Sequence, residues 1–274
     1  MSEKTAVMAF DIGGTTIKCG LIDSKGEIIY RQKRPSEARK GAGYIFGNLQ
    51  QLGRELLQFG RRDNIQIECI GISTAGTVEP GQGVIAFSTE TFKGWQGSRV
   101  KDRVKEMFGL PVYVENDAHA AAWGEKYFGI AGEVDDFVMV TLGTGIGGAI
   151  FSGGKLFTGA ANFAGLIGMM SIDPRGYQCQ LGVKGCLESY TSAWGIARLA
   201  EEFVESGNTH IDDSSLLVQR IREQDQQVTP EDVFEAARTG DILGNIILDN
   251  VCLYLGTALG SLVSILNPEM IVLA

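Results

Sequence analysis

The chain has 274 residues and a formal net charge of -9 at neutral pH, with a pI near 4.9. At 44% hydrophobic and 21% charged residues it has the composition of an ordinary globular protein, and its acidity argues against nucleic acid as the main partner. Five cysteines, an odd number in a long chain, fit a reducing compartment with free thiols and not a disulfide framework.

The N-terminus, Met1 to Thr5, is polar and lacks the basic, apolar and small-residue sections of a signal peptide, so a cytoplasmic protein is expected. Ala6 to Phe10 and Ile17 to Ile22 are short apolar runs around Asp11-Ile-Gly-Gly-Thr-Thr16, which reads as strand, tight turn, strand. Glu27 to Arg34 continues as a third strand. Tyr44 to Phe59 carries Ile45, Leu49, Leu52, Leu56 and Leu57 at helical spacing. Ile65 to Ser73 reads as strand, Val100 to Phe108 as amphipathic helix, Val112 to Val114 as strand and Asp117 to Tyr127 as helix.

A second strand group follows. Phe137 to Leu142 leads into Gly143-Thr-Gly-Ile-Gly-Gly148 and then Ala149 to Phe151. Helices are predicted over Leu187 to Glu205, Pro230 to Arg238 and Asp241 to Leu266. Thr229 before Pro230 is a standard helix entry. Val251 to Leu266 is uncharged but shorter than the ~20 residues that span a bilayer, so it is predicted as part of a buried helix with no membrane partner. Met270 to Leu273 reads as a final buried strand. The two Gly/Thr turns, each between two strands, suggest a weak internal repeat whose halves share a cleft.

Glycine lets backbone approach a ligand closely, and a Gly-Gly-Thr turn offers amides and a hydroxyl to phosphate oxygens. Either turn alone is an ordinary hairpin turn. The pair, with Asp11 at a strand end, reads as phosphate-binding. Gly143 to Gly148 also matches the dinucleotide fingerprint, but that motif needs a helix directly after the turn and a strand is predicted there. No Walker A sequence occurs.

Glu115-Asn116-Asp117 ends a strand and begins a helix. Asn116 and Asp117 are both good caps, and a carboxylate here is equally suited to take a proton from a sugar hydroxyl during phosphoryl transfer. Position alone leaves both readings open. His119 stands two residues from Asp117, which on a helix points it elsewhere, so a packed or solvated histidine is expected rather than a dyad. His210 carries no signal.

In this order and spacing, Asp11-Ile-Gly-Gly-Thr-Thr-Ile-Lys18, Gly71-Ile-Ser-Thr-Ala-Gly76, Gly94-Trp95, Glu115-Asn-Asp117, Leu142-Gly-Thr-Gly-Ile-Gly-Gly148 and Gly185-Cys-Leu-Glu188 resemble the ROK family of repressors, open reading frames and kinases, from Ala6 to Ala274. The resemblance implies an actin-like (ribonuclease H-like) α/β ATPase fold of two domains around a cleft, here 1–116 and 117–274, usually as a homodimer. It implies Mg-ATP-dependent phosphorylation of a hexose or N-acetylhexosamine, with glucose and N-acetylmannosamine foremost. By the same resemblance Asp11, Gly13, Gly14, Thr15 and Lys18 belong to the first phosphate loop and Gly143, Thr144 and Gly145 to the second. Mg²⁺ lies near Asp11 through water, Asp117 is the catalytic base, and Gly76, Asn116 and Glu188 contact the sugar.

Repressor members carry a DNA-binding helix-turn-helix before the first loop, and only a few residues precede it here, so a kinase rather than a repressor is expected. The sequence also departs from the family pattern. Where members have Ala-Gly-Glu-x-Gly-His, this chain has Ala164-Gly-Leu-Ile-Gly-Met169, so Leu166 replaces a sugar-binding glutamate and Met169 a zinc-binding histidine. Leu181 stands at the middle of the three zinc cysteines, leaving Cys179 and Cys186, and two cysteines do not fill a closed zinc site, so no zinc is expected. Thr91 falls where many members have a sugar-proximal asparagine. Members also continue past Ile271-Val-Leu273 with a glycine-rich turn near adenosine and a last helix, so weaker nucleotide binding is expected. The alternative to a kinase is a catalytically impaired sugar- or nucleotide-binding protein with a regulatory role.

Overall fold

The computed structural model describes residues 4–79, 81–179, 181–206, 215–223 and 228–274. His210 lies outside the described residues. The chain divides into two compact units, Met1–Glu133 with Thr158–Ala164, and Val134–Phe157 with Gly165–Ala274.

The first unit runs β1 (Lys4–Ile12), β2 (Thr16–Ile22), β3 (Ile28–Pro35), α1 (Ala42–Arg62), β4 (Ile65–Thr74), the small hairpin β5 (Thr77–Val78) and β6 (Ile85–Phe87), α2 (Val100–Phe108), β7 (Val112–Asn116) and α3 (Asp117–Phe128). Its sheet has the order β3-β2-β1-β4-β7. The first two pairings are antiparallel and the last two parallel. Residues alternate across a pleated strand, so Ala6, Met8, Phe10 and Ile12 of β1 are buried together on one face. They join Ile45, Leu49, Leu52 and Leu56 of α1 and Val100 and Val104 of α2 in one core. The α1 positions recur at three and four residues, as an amphipathic helix requires. Gly109 closes α2 in the left-handed region at φ 69°.

The other face of this sheet borders a cavity of about 1170 Å³, walled by Ala9, Gly20, Gly71, Tyr113 and Trp123, with Asp11, Lys18, Ser73 and Glu115 also on its lining.

The second unit runs β8 (Phe137–Leu142), β9 (Ile146–Ser152), β10 (Lys155–Leu156), α4 (Glu188–Thr191), α5 (Ala193–Glu205), α6 (Leu216–Glu223), α7 (Pro230–Arg238), α8 (Ile242–Leu266) and β11 (Met270–Leu273). Its sheet has the order β10-β9-β8-β11. The β10–β9 and β9–β8 pairings are antiparallel and β8–β11 is parallel. This repeats β3-β2-β1-β4 strand for strand, so the weak repeat in the sequence is a repeat of topology, with a glycine turn joining the same two strands in each unit.

Three expectations need correction. The helix predicted over Leu187 to Glu205 is two helices, because Ser192 is extended (ψ 167°) and its hydroxyl accepts the Gly195 amide to cap α5. The apolar stretch Val251 to Leu266 is helical but not buried. Only Ala258 and Leu262 in it are buried, Leu253 and Ile265 are 65% and 77% exposed, and 22% of the most apolar window of α8 is buried. By length and composition α8 is apolar enough to cross a membrane; its covered side packs on α4, α5 and α7. The strand β11 is an edge strand, not a buried one, with Leu273 49% exposed.

Candidate active site

The sheet of the first unit lines up chemistry-bearing residues by register alone. Lys18 on β2 pairs with Asp11 on β1, Asp11 with Ser73 on β4, and Ser73 with Glu115 on β7. The row is therefore Lys18, Asp11, Ser73, Glu115, and registered neighbours share a face. The Ser73 hydroxyl donates to Asp11 Oδ1 at 3.1 Å, and Lys18 Nζ lies 3.5 Å from Oδ2. The Asp11 side chain is 46% exposed, so its oxygens remain open to water. A partly open carboxylate with one hydroxyl and one ammonium partner fits a Mg²⁺ held through its water shell, the usual state of this ion.

The first glycine turn follows Asp11 directly. The Gly13 amide donates to the Thr16 carbonyl at 3.0 Å. Buried Ser36 pulls on the other side of the turn, its hydroxyl donating to the Gly14 carbonyl at 2.7 Å and its amide to the Thr15 carbonyl at 2.9 Å. Both carbonyls are thereby occupied. The amides of Gly14 and Thr15 donate no hydrogen bond among the described residues, which suits a loop that receives an anion. A Cβ on Gly14 would stand 3.0 Å from the Thr91 methyl, so the approach is tight even without a ligand.

One row further along the sheet, Ile12 pairs with Thr74 and Thr74 with Asn116. Thr74 is fully buried and accepts from the Trp95 indole Nε1 at 3.1 Å, which accounts for the Gly94-Trp95 motif as the anchor of this strand end. Gly76 sits at φ 100°, and a Cβ there would meet the Phe87 carbonyl at 2.4 Å, so both conformation and space require glycine.

At the β7–α3 junction the structure separates the two roles that the sequence left open. Asn116 is the helix cap: it is extended and its Oδ1 accepts the His119 amide at 3.1 Å. Asp117 is the first helical residue. Asn116 Nδ2 donates to the Gly76 carbonyl and to Asp117 Oδ1, each at 2.9 Å, and the Ala118 amide also donates to Asp117 Oδ1 at 2.9 Å. Both of these hydrogen bonds fall on one oxygen, and among the described residues no hydrogen bond reaches Oδ2. The Asp117 pKa is raised above the ordinary carboxylate value, first by desolvation, with the charge of Asp11 adding to it; the Ala118 and Asn116 hydrogen bonds oppose the shift.

His119 is buried and packed, as expected, and does not pair with Asp117. Its Nδ1 lies 3.1 Å from Glu115 Oε1, which also accepts the Asn116 amide. This i, i+4 pair across the strand–helix junction was legible in the sequence as spacing and was missed. Ser36 and Ser73, which hold the turn and Asp11, gave no sequence signal.

In the second unit the turn after β8 carries Gly143, Thr144 and Gly145, and strand β9 follows at once, which removes the dinucleotide reading. The Gly143 amide donates to the Gly145 carbonyl at 3.0 Å, and Ala193 at the start of α5 donates to the Gly143 carbonyl at 2.9 Å. Glu188, the first residue of α4, reaches under the turn and accepts the Ile146 amide on Oε2 at 2.9 Å. A Cβ on Gly145 would stand 2.6 Å from that oxygen. Burial raises the Glu188 pKa, partly offset by the Ile146 hydrogen bond. Leu166 is 42% exposed at the start of a short 3-10 turn, Ile167–Met169. Among the described residues no group of three or more His, Cys, Asp or Glu side chains could hold a metal ion.

The sequence profile described as the ROK family matches residues 7–274. Over 274 residues the chain is 34% identical to a glucokinase from Halalkalibacterium halodurans, covering 100% of this chain and 80% of that protein. It is 32% identical over 220 residues to an N-acetylmannosamine kinase from Escherichia fergusonii, covering 80% of this chain and 71% of that protein. The crystal structure of a ROK family glucokinase from Streptomyces griseus in complex with glucose and AMPPNP matches with a TM-score of 0.79 at 30% identity, over 98% of this chain and 82% of that one. The actin-like α/β fold expected from the sequence is the fold observed.

Proposed function

Since the chain belongs to the ROK family, we propose that it is an ATP-dependent kinase for a hydroxyl of a hexose or N-acetylhexosamine, with glucose and N-acetylmannosamine as first candidates and Asp117 as general base. The observation that carries this reading is the asymmetric Asp117 carboxylate. Its Oδ1 is fixed by Asn116 and Ala118, and Oδ2 is left to accept a proton. Desolvation raises its pKa, which strengthens it as a base.

The relatives' names support the substrate class, and AMPPNP in the Streptomyces griseus structure supports ATP as phosphoryl donor. Asp11 is the residue to hold Mg²⁺, with Ser73 fixing the carboxylate and Lys18 beside it. When bound, the ion neutralises charge on the phosphates. Gly13, Gly14 and Thr15 form one phosphate loop and Gly143, Thr144 and Gly145 the other.

Both hydrogens of Asn116 Nδ2 are committed to Gly76 and Asp117, so its contribution to a sugar is the remaining lone pair of Oδ1. Glu188 offers Oε1, since Oε2 holds the Ile146 amide. Gly76 presents backbone alone. A leucine at 166 accepts no hydrogen bond, so this protein reads fewer sugar hydroxyls than a chain with glutamate there. A homodimer is proposed on the family resemblance alone.

The test is a panel of hexoses and N-acetylhexosamines assayed for ATP-dependent phosphorylation. Phosphorylation of at least one sugar is expected. Sugar or nucleotide binding without turnover across the panel would transfer the assignment to the regulatory alternative.

A further inference from the structure

Glu115 and His119 stand beside the proposed base and take no part in the phosphoryl transfer described for it. Glu115, on β7, turns its carboxylate back over the strand end, where Oε1 accepts the Asn116 amide at 2.9 Å. The same oxygen lies 3.1 Å from Nδ1 of His119, in the first turn of α3. A carboxylate only accepts, so the imidazole carries its proton on Nδ1 and donates. The His119 side chain is buried and the Glu115 side chain is partly exposed, so the histidine is the fixed partner and the glutamate is what it holds.

These bonds close into a brace around Asn116. His119 grips it twice, directly through its own amide to Asn116 Oδ1 at 3.1 Å, and through Glu115 to the Asn116 amide. Asn116 Nδ2 carries the hold onward, to the Gly76 carbonyl and to Asp117 Oδ1. The side-chain bond that orients Asp117 therefore starts from a residue pinned at both its main chain and its side chain. A glutamate folded back on its own successor gives up rotamer freedom, and water competes for its oxygens, so the buried imidazole is what keeps it there. No hydrogen bond joins His119 or Glu115 to the Asp117 carboxylate among the described residues, so their effect is on geometry and not on proton transfer.

We propose that His119, acting through Glu115 and Asn116, is a positioning residue for the Asp117 carboxylate. The inference rests on Asp117 as the base. A reacting group misplaced by about 1 Å costs about 10²-fold in rate, which sets the size of the expected effect.

The experiment measures kcat and KM in His119→Leu, His119→Asn and Glu115→Leu, each well below its own melting temperature. Leucine keeps bulk and removes the donor, whereas asparagine places its Nδ2 where the imidazole has Nδ1. His119→Leu should lower kcat about tenfold to a hundredfold with the KM for ATP unchanged, and His119→Asn should recover most of that loss. Glu115→Leu should match His119→Leu, and the double variant should fall no further. In an Asp117→Asn background His119→Leu should cost nothing more, because no base is left to position. An equal loss in both backgrounds would mark a merely structural part and overturn the proposal. The chain has two histidines, so nitrogen NMR of the imidazoles, assigned with His210→Gln, reads the His119 tautomer without any turnover. A proton on Nδ1 is expected, and a proton on Nε2 alone overturns the brace. Near wild-type kcat in His119→Leu, with Asp117→Asn inactive, overturns the positioning role alone. Near wild-type kcat in Asp117→Asn, or no sugar phosphorylated by the wild type, overturns the base itself and this role with it. Should His119→Leu fail to fold, the tautomer and the comparison of Glu115→Leu with and without Asp117→Asn decide the question.

Discussion

Replacing Asp117 with asparagine tests the proposed base without disturbing the helix start. Asparagine keeps an Oδ1 that can accept the Asn116 and Ala118 hydrogens, both at 2.9 Å in the wild type. The cap of α3 is Asn116, not Asp117, so Asp117→Asn removes no capping interaction. What it removes is the basic Oδ2, and loss of a general base lowers kcat by about 10²–10⁴-fold. Stability moves the other way. The folded pKa of Asp117 is raised, so the stability associated with its protonated form is complete below the ordinary carboxylate pKa and is lost as pH rises through the folded value. At neutral pH the variant, which carries no charge to desolvate, should melt at or above the wild-type temperature, and the difference should vanish in acid. The wild-type kcat should likewise fall on an acid limb centred above 3.8, the ordinary value for this group. The assays are ADP release with the best sugar, melting temperature against pH, and affinity for a non-hydrolysable ATP analogue, which should be unchanged. A variant with near wild-type kcat would refute the reasoning and leave Asp117 as merely the first residue of a helix.

Leu166→Glu adds a carboxylate acceptor at a 42% exposed position, and a charge-assisted hydrogen bond worth about 1.5–3 kcal/mol should shift relative kcat/KM among sugars by about tenfold to a hundredfold with the KM for ATP unchanged. Gly145→Ala drives a methyl to within 2.6 Å of Glu188 Oε2 and should displace it from the Ile146 amide, lowering stability by about 1–3 kcal/mol in urea unfolding. In a Glu188→Ala background the same change should cost much less, and equal costs in both backgrounds would exclude the contact as the cause. Trp95→Phe leaves the buried Thr74 hydroxyl without its indole donor and should cost about 1–3 kcal/mol, read as a lowered denaturation midpoint, whereas an unchanged midpoint would mean water replaces the indole.

Local signals in the sequence were enough for what depends on near neighbours. The hydrophobic periods and turn residues located α2, α7, β8 and β11 with the boundaries observed, because strand alternation, Thr-Pro entry and glycine exit act within a few residues. The paired Gly/Thr turns likewise announced the repeated strand order of the two sheets. The order of the six motifs carried the fold to the whole chain.

The tertiary structure decided what depends on residues far apart or on which neighbours exist. Ser73 reaches Asp11 across 62 residues of sequence and Ser36 reaches Gly14 across 22, each through pairings that no short window encodes. Asn116 and Asp117 have equal capping propensity, and only the turn geometry at the β7 end assigned the cap to one and freed an oxygen of the other. The apolar composition of α8 was plain in the sequence, but burial belongs to the surroundings: its packed side meets α4, α5 and α7, while Leu253 and Ile265 stay exposed. Hydrophobicity is a property of a residue, and whether it is covered is a property of the elements around it.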